Sequence, residues 1–203
     1  MRKLVLAAVA AVASVSAAAP AFAQDTLDPA PASTAPDGSK AFGLDPYVAI
    51  RGGWEEFDNE GNKAGIPTLP RGGSKLNGGI VEGLVGVNVP LGAFFVGAEG
   101  SVAKGFSGDI DWEYGAAGRF GVRAGESGLF YGKVGYQWVN FDKNTDTSRD
   151  FDDITYGIGF EAGPKDIGLG GLTGNAGFRL RGEVSTFGDF HSFRPTLGVV
   201  AHF

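Results

Sequence analysis

The chain has 203 residues, a formal net charge of −6 and no cysteine. That length holds one domain or at most two. The acidic balance argues against a nucleic-acid partner, which requires a basic surface, and the lack of thiols excludes disulfides and thiolate metal sites.

Residues 1–23 read as a signal peptide. Arg2 and Lys3 form a basic start, Leu4 to Ala19 is almost wholly apolar, and Pro20-Ala21-Phe22-Ala23 places alanines at −3 and −1 of a cut before Gln24. A retained membrane anchor is the alternative, but the run is short for a spanning helix and the cleavage signal follows at once. Residues 24–45 are rich in Ala, Pro, Ser and Asp without periodicity and read as a flexible linker. The remaining domain, 46–203, has no stretch long and apolar enough for a membrane helix.

From Pro46 onward, segments of roughly ten residues alternate apolar with polar or small side chains, as half-buried strands do. Eight are expected: Tyr47–Phe57, Gly79–Val89, Phe94–Phe106, Ile110–Arg123, Leu129–Asp142, Ile154–Ala162, Ala176–Phe187 and Ser192–Phe203. In the second, Val81, Gly83, Val85, Val87 and Val89 share a face opposite Glu82, Gly86 and Asn88, with Leu84 interrupting the polar side. In the fourth, Trp112, Tyr114, Phe120 and Val122 oppose Glu113, Arg119 and Arg123; in the seventh, Phe178, Leu180 and Val184 oppose Arg179, Arg181 and Glu183. Successive strand side chains point to opposite sides, so each segment has one apolar and one charged face.

A soluble sandwich buries the apolar face, whereas a membrane barrel turns it outward. An export signal, strands that run to the last residue, and small residues such as Gly115, Ala117, Gly157 and Gly159 on the charged face favour the barrel. Aromatics also gather at strand ends. Trp54, Phe57, Trp112, Tyr136, Trp138, Tyr156, Phe187 and Phe193 fall toward the outer end, and Phe94, Phe130, Phe160, Phe178 and Phe203 toward the inner end. Two such girdles are expected at headgroup level. The fold expected is therefore all-β: an eight-stranded antiparallel transmembrane barrel of up-and-down meander topology.

The signal, the eight alternating strands and the ending Pro195-Thr-Leu-Gly-Val-Val-Ala-His-Phe203 resemble the opacity-type, OmpA-like outer-membrane proteins of the porin-family kind. The resemblance covers roughly Pro46 to Phe203 and is one of pattern. It implies location in the outer membrane of a Gram-negative-type bacterium, and that Phe203 is the assembly signal read by the barrel-assembly machinery. Members serve as structural proteins, adhesins or small-solute channels.

Alternation assigns Arg51, Glu82, Glu99, Glu113, Arg119, Arg123, Lys133, Glu161, Arg179, Arg181, Glu183 and Arg194 to the lumen. Eight strands enclose a space only wide enough for side chains to fill, so these charges are expected to pair into a plug rather than line an ion path. His191 and Ser192 are adjacent, which points them to opposite faces and defeats a direct base–nucleophile contact; His202 lies at the far end. No catalytic residue is assigned. Asp142, Asn144 and Asp146 sit at alternate positions like a calcium loop, but Thr147 stands where glycine is needed and Asp153 where glutamate is usual, so a solvated acidic loop is preferred and no metal is expected. Gly168-Leu-Gly-Gly-Leu lacks the lysine and helix of a phosphate loop. Pro195 removes a ladder donor within the last strand, accommodated either by a bulge or by the end of pairing near the outer rim.

The function expected is non-enzymatic, structural or surface-interacting (adhesin-like), without cofactor. Its partners are outer-membrane lipid, the assembly machinery and a surface ligand or host molecule met through the outer loops Asp58–Gly78 and Asp142–Asp153; no nucleic acid is expected, and the chain is read as a monomer. The alternatives are a small diffusion channel and a soluble exported β-sandwich or lipocalin-like binder. N-terminal sequencing of the membrane-fraction protein should begin at Gln24; an intact Met1 would refute the processing assignment.

Overall fold

The structure, a computed structural model, describes residues 43–58, 76–124, 128–141, 151–163 and 177–203. The expected signal segment, nearly all of the linker, and Asp142, Asn144 and Asp146 lie outside the described residues. Eight strands form a closed barrel in sequence order: β1 (Asp45–Phe57), β2 (Asn77–Leu91), β3 (Phe94–Gly108), β4 (Ile110–Ala124), β5 (Gly128–Phe141), β6 (Phe151–Ala162), β7 (Phe178–Phe187) and β8 (Ser192–His202). Each strand is antiparallel to the next, and β8 returns to β1. Asp45, assigned to the linker from sequence, belongs to β1: it points inward and is bound there by His202 and Asn88.

Two rims follow from this threading. One, the terminal rim, holds the start of β1, the end of β8 and the tight turn at Gly92, whose φ of 72° suits glycine. The other, the loop rim, holds the ends of β1, β5 and β7, with the β7–β8 turn at 188–191.

The β1–β8 seam is the one pairing between strands distant in sequence. Its register runs from Tyr47↔His202 to Gly53↔Thr196, lapses at Trp54 and Glu55, and resumes at Glu56↔Phe193. Pro195 lies opposite that lapse while remaining in register with Val184 on the β7 side. A residue in an antiparallel ladder aims its N–H and C=O to the same neighbour, and the Pro195 carbonyl leans toward Gly53, where a Cβ would sit 2.3 Å from its oxygen. The missing donor therefore faces β1 where the ladder is already interrupted. Beyond the terminal rim the seam continues one residue, with Phe203 N donating to the Pro46 carbonyl at 2.9 Å.

The alternation read from sequence sorts the side chains as follows. Val48, Ile50, Val81, Val85, Val96, Val102, Phe120, Val134, Ile158, Val184, Leu197 and Val199 are exposed on the outside, Ile158 at 72 %. Charged residues fill the inside. In water such an exterior would be a contiguous apolar surface far larger than soluble monomers carry; in lipid it is the favourable one. Val85→Arg should therefore reduce folding yield into lipid vesicles, consistent with about 2–4 kcal/mol for arginine on a lipid face near the midplane. Val85→Leu should fold like the parent, as read from the heat-modifiable band on gels.

Candidate functional site: the charged lumen

The site is built by strand parity. In β1 the inward series is Asp45, Tyr47, Ala49, Arg51, Glu55 and Phe57, and each strand contributes at least one inward polar or charged side chain of this kind. Room for these large groups comes from inward glycines: a Cβ on Gly86 would lie 2.3 Å from the Tyr47 ring, one on Gly159 2.4 Å from the Tyr131 hydroxyl, and one on Gly198 2.9 Å from Arg51 Cγ.

At mid-lumen, Arg51 donates from Nε to Glu82 at 2.9 Å and forms a second bond to it from Nη2, while its Nη1 lies 2.8 Å from Glu183. Glu183 also receives Lys133, Arg181 at 2.9 Å and the Tyr131 hydroxyl at 2.7 Å. Arg181 continues to Glu99 at 2.8 Å, which in turn accepts from the Tyr47 hydroxyl at 2.9 Å. The Arg119 guanidinium stacks 3.9 Å from the Tyr131 ring centroid and donates to Glu161 at 2.8 Å, a desolvated cation–π contact added to an ion pair.

Toward the terminal rim, Glu161 meets His202 Nε2 at 2.9 Å, and His202 Nδ1 meets Asp45 at 2.9 Å; Arg179 lies 3.7 Å from Glu161. Toward the loop rim, Arg194 lies 2.9 Å from Glu113, 3.2 Å from Glu82 and 3.4 Å from Glu55. Asp45 is thus linked to Glu55 through one continuous chain of hydrogen bonds and ion pairs drawn from all eight strands. Arg51 and Arg181 are 1 % and 0 % exposed. A buried charge that loses its partner costs about 3–5 kcal/mol, so the network fixes which strand stands opposite which.

Above the polar layer, at the loop rim, the interior turns apolar. Phe57, Leu76, Ile80, Ala103, Ile110, Val139, Phe141, Phe151 and Phe187 form one buried cluster. Phe57 packs edge-on against Phe141 and Phe187, with centroids 5.2 and 6.0 Å apart. Below it, the cavity between Glu99, Lys133, Gln137, Thr155 and Arg194 has a volume of about 10 Å³, room for on the order of one water molecule.

Of the residues assigned to the lumen from sequence, Arg51, Glu82, Glu99, Glu113, Arg119, Lys133, Glu161, Arg179, Arg181, Glu183 and Arg194 are buried inside the barrel, and Arg123 is partly exposed near the terminal rim. Glu55, Asp45, His202, Tyr47, Tyr131 and Gln137 join them. Their signal was available: Glu55 has the parity of Arg51, and His202 that of Arg194. The same parity corrects the outer girdle. Phe57 and Phe187 are 1 % and 0 % exposed and lie in the buried apolar cluster inside the barrel, because they continue the inward series of Arg51 and Arg181. Trp54, Trp112, Tyr136 and Phe193 are exposed on the outside near the loop rim, and Phe94, Phe130, Phe160, Phe178 and Phe203 near the terminal rim.

His191 and Ser192 do not address each other. His191 Nδ1 lies 2.8 Å from Asp58, whereas the Ser192 hydroxyl donates to Glu55 at 2.7 Å and accepts from Phe187 N. Among the described residues no group of three or more His, Asp or Glu side chains is arranged to hold a metal ion.

No family model matches the chain, and no curated protein matches it. Solved structures do resemble it. Ail, the attachment invasion locus protein of Yersinia pestis, is 16 % identical over 78 % of this chain and 98 % of its own, with a TM-score of 0.47. Neisserial surface protein A is 11 % identical over 79 % and 99 %, with a TM-score of 0.46. A de novo designed transmembrane β-barrel is 11 % identical over 81 % and 99 %, with a TM-score of 0.44.

Arg194→Met should destabilise the barrel by about 3–5 kcal/mol, because Glu55, Glu82 and Glu113 would then face one another. Adding Glu113→Gln should recover part of that loss, a coupling of about 0.5–3 kcal/mol. Urea unfolding from vesicles measures both; strict additivity of the two substitutions would show that the carboxylates do not share Arg194.

Proposed function

We propose that this chain is a non-enzymatic integral outer-membrane protein whose barrel does not conduct and which acts as a structural or surface-interacting, adhesin-like scaffold. The observation that carries the proposal is the inverted distribution of side chains: an apolar exterior around an ion-paired interior. A closed barrel also satisfies every strand edge, as a spanning sheet in lipid must. The loop rim then faces outward and presents the expected outer loops Asp58–Gly78 and Asp142–Asp153 for recognition.

Three features support a plugged rather than a conducting lumen. The charges are committed to one another, the cavity among them is of single-water size, and the apolar cluster led by Phe57 and Phe187 closes the loop rim. The non-enzymatic part of the reading is supported by the Ser192 hydroxyl and the His191 ring, which are engaged by different partners. The small-channel alternative draws on the same charged lumen, and conductance separates the two. Refolded protein in planar bilayers should give no reproducible single-channel steps. Ion-selective steps would overturn the plug.

The reading extends to Phe203. It is exposed at the terminal rim and tied to β1 through its backbone. Deleting it should weaken refolding into vesicles only slightly, since burying such a ring at an interface contributes about 1–3 kcal/mol. In cells the same deletion should sharply lower the amount assembled in the outer membrane. Normal cellular assembly would make Phe203 an ordinary girdle residue.

A further inference from the structure

The β7–β8 turn holds an unusual backbone conformation. Gly188, Asp189 and Phe190 adopt successive positive φ angles of 54°, 51° and 70°. Glycine takes this region freely, but a bulky aromatic residue there is strained. The turn is nonetheless well tied: His191 N donates to the Phe187 and Gly188 carbonyls at 2.9 and 3.1 Å, and Gly188 N donates to the Ile154 carbonyl at 2.9 Å.

The left-handed run divides two phenylalanines three residues apart. Phe187 is sent into the apolar cluster of the loop rim, fully buried, whereas Phe190 is sent to the outside of the barrel and is 77 % exposed. There its ring lies nearly parallel to that of outward-facing Tyr156, 5.9 Å away at 12°. Phe193 on β8 and Trp54 on β1 are exposed on the same rim. Backbone strain and an unburied aromatic ring are both unfavourable in water, and an observed outlier of this kind points to a role outside the isolated chain.

We propose that the β7–β8 turn is an interfacial anchor, in which Phe190 is held folded onto Tyr156 so that its ring enters the lipid surface at the headgroup level of the leaflet on the loop-rim side. This rests on the membrane reading above. The occupant is lipid because the stacking directs the ring onto the outer barrel face, continuous with the exposed apolar band, and not up from the rim toward solvent. Amphipathic and aromatic side chains favour that depth. The turn would then fix how far the barrel sinks at the β7–β8–β1 side.

The test uses depth-resolved fluorescence. The three native tryptophans are replaced by phenylalanine and Phe190→Trp is introduced, with folding into vesicles checked by the heat-modifiable band. Emission should be blue-shifted and quenched more strongly by lipids brominated near the headgroup than by lipids brominated deep in the chain. Iodide quenching with no bromolipid effect would overturn the anchor and give Phe190 to a soluble or protein partner. Val85→Trp in the same background should be quenched best by deep bromines. Failure at Val85 overturns the membrane reading, whereas failure at position 190 alone overturns only the anchor. Should the tryptophan-free background not fold, Asp189→Cys carries a nitroxide in the otherwise cysteine-free chain. Greater access to oxygen than to a water-soluble nickel chelate then supports the anchor, and the reverse opposes it.

Discussion

The structure depends on one constraint: a ring of eight strands leaves little space for water around an inward charge. Every Arg, Lys, Glu or Asp on that face must therefore find its counter-ion on another strand. Arg181 reaches Glu99 across 82 residues of chain, and Glu55 reaches Ser192 across 137. Contacts of this span are unavailable to a hairpin or a half-formed sheet. Neighbouring strands can pair locally, but the interior becomes electrostatically tolerable only when all eight are in place. The network thus contributes cooperativity and a unique register more than net stability. A one-residue slip of any strand would carry its charges to the apolar outer face and its valines into the lumen.

The seam between β1 and β8 shows the same logic at one location. Backbone pairing there is imperfect, because Pro195 has no donor and Gly53 must yield to the Pro195 carbonyl. Side chains take up the closure. His202 joins Asp45 at the terminal rim, Ser192 and Arg194 hold Glu55 beside the interruption, and His191 joins Asp58 past the end of β1. Polar contacts between the first and last elements accordingly stand on both sides of the gap in the ladder.

Much of this was legible in the amino-acid sequence, because strand parity is a rigid rule. Eight segments, their approximate ends and the inward charges all follow from a period of two. The failures came where a softer rule was set against parity. An aromatic ring at a strand end suggests the outer girdle for Phe57 and Phe187, although they share the parity of Arg51 and Arg181. Glu55 and His202 likewise share the parity of Arg51 and Arg194 and belong with the inward groups. What no reading of the pattern supplies is the pairing itself. Whether Arg194 meets Glu82 or Glu161 depends on stagger between strands, set by bulges such as those at Gly79–Ile80 and Ile110–Trp112. Nor does periodicity reveal that the interior is layered, with the ion-paired level followed at the loop rim by an apolar cluster.

That layering has a mechanical consequence. A barrel held together only by lipid outside and ion pairs inside would fray where it leaves the membrane, since water there can hydrate both. The phenylalanine cluster gives the loop rim a dry core of its own, of the kind a small soluble domain has, and it draws on β1 through β7. The loop-rim end consequently has a packed core that does not depend on what surrounds the barrel. Packing at that rim thus holds the ends of β1, β5 and β7 together independently of the residues that join them to the next strands.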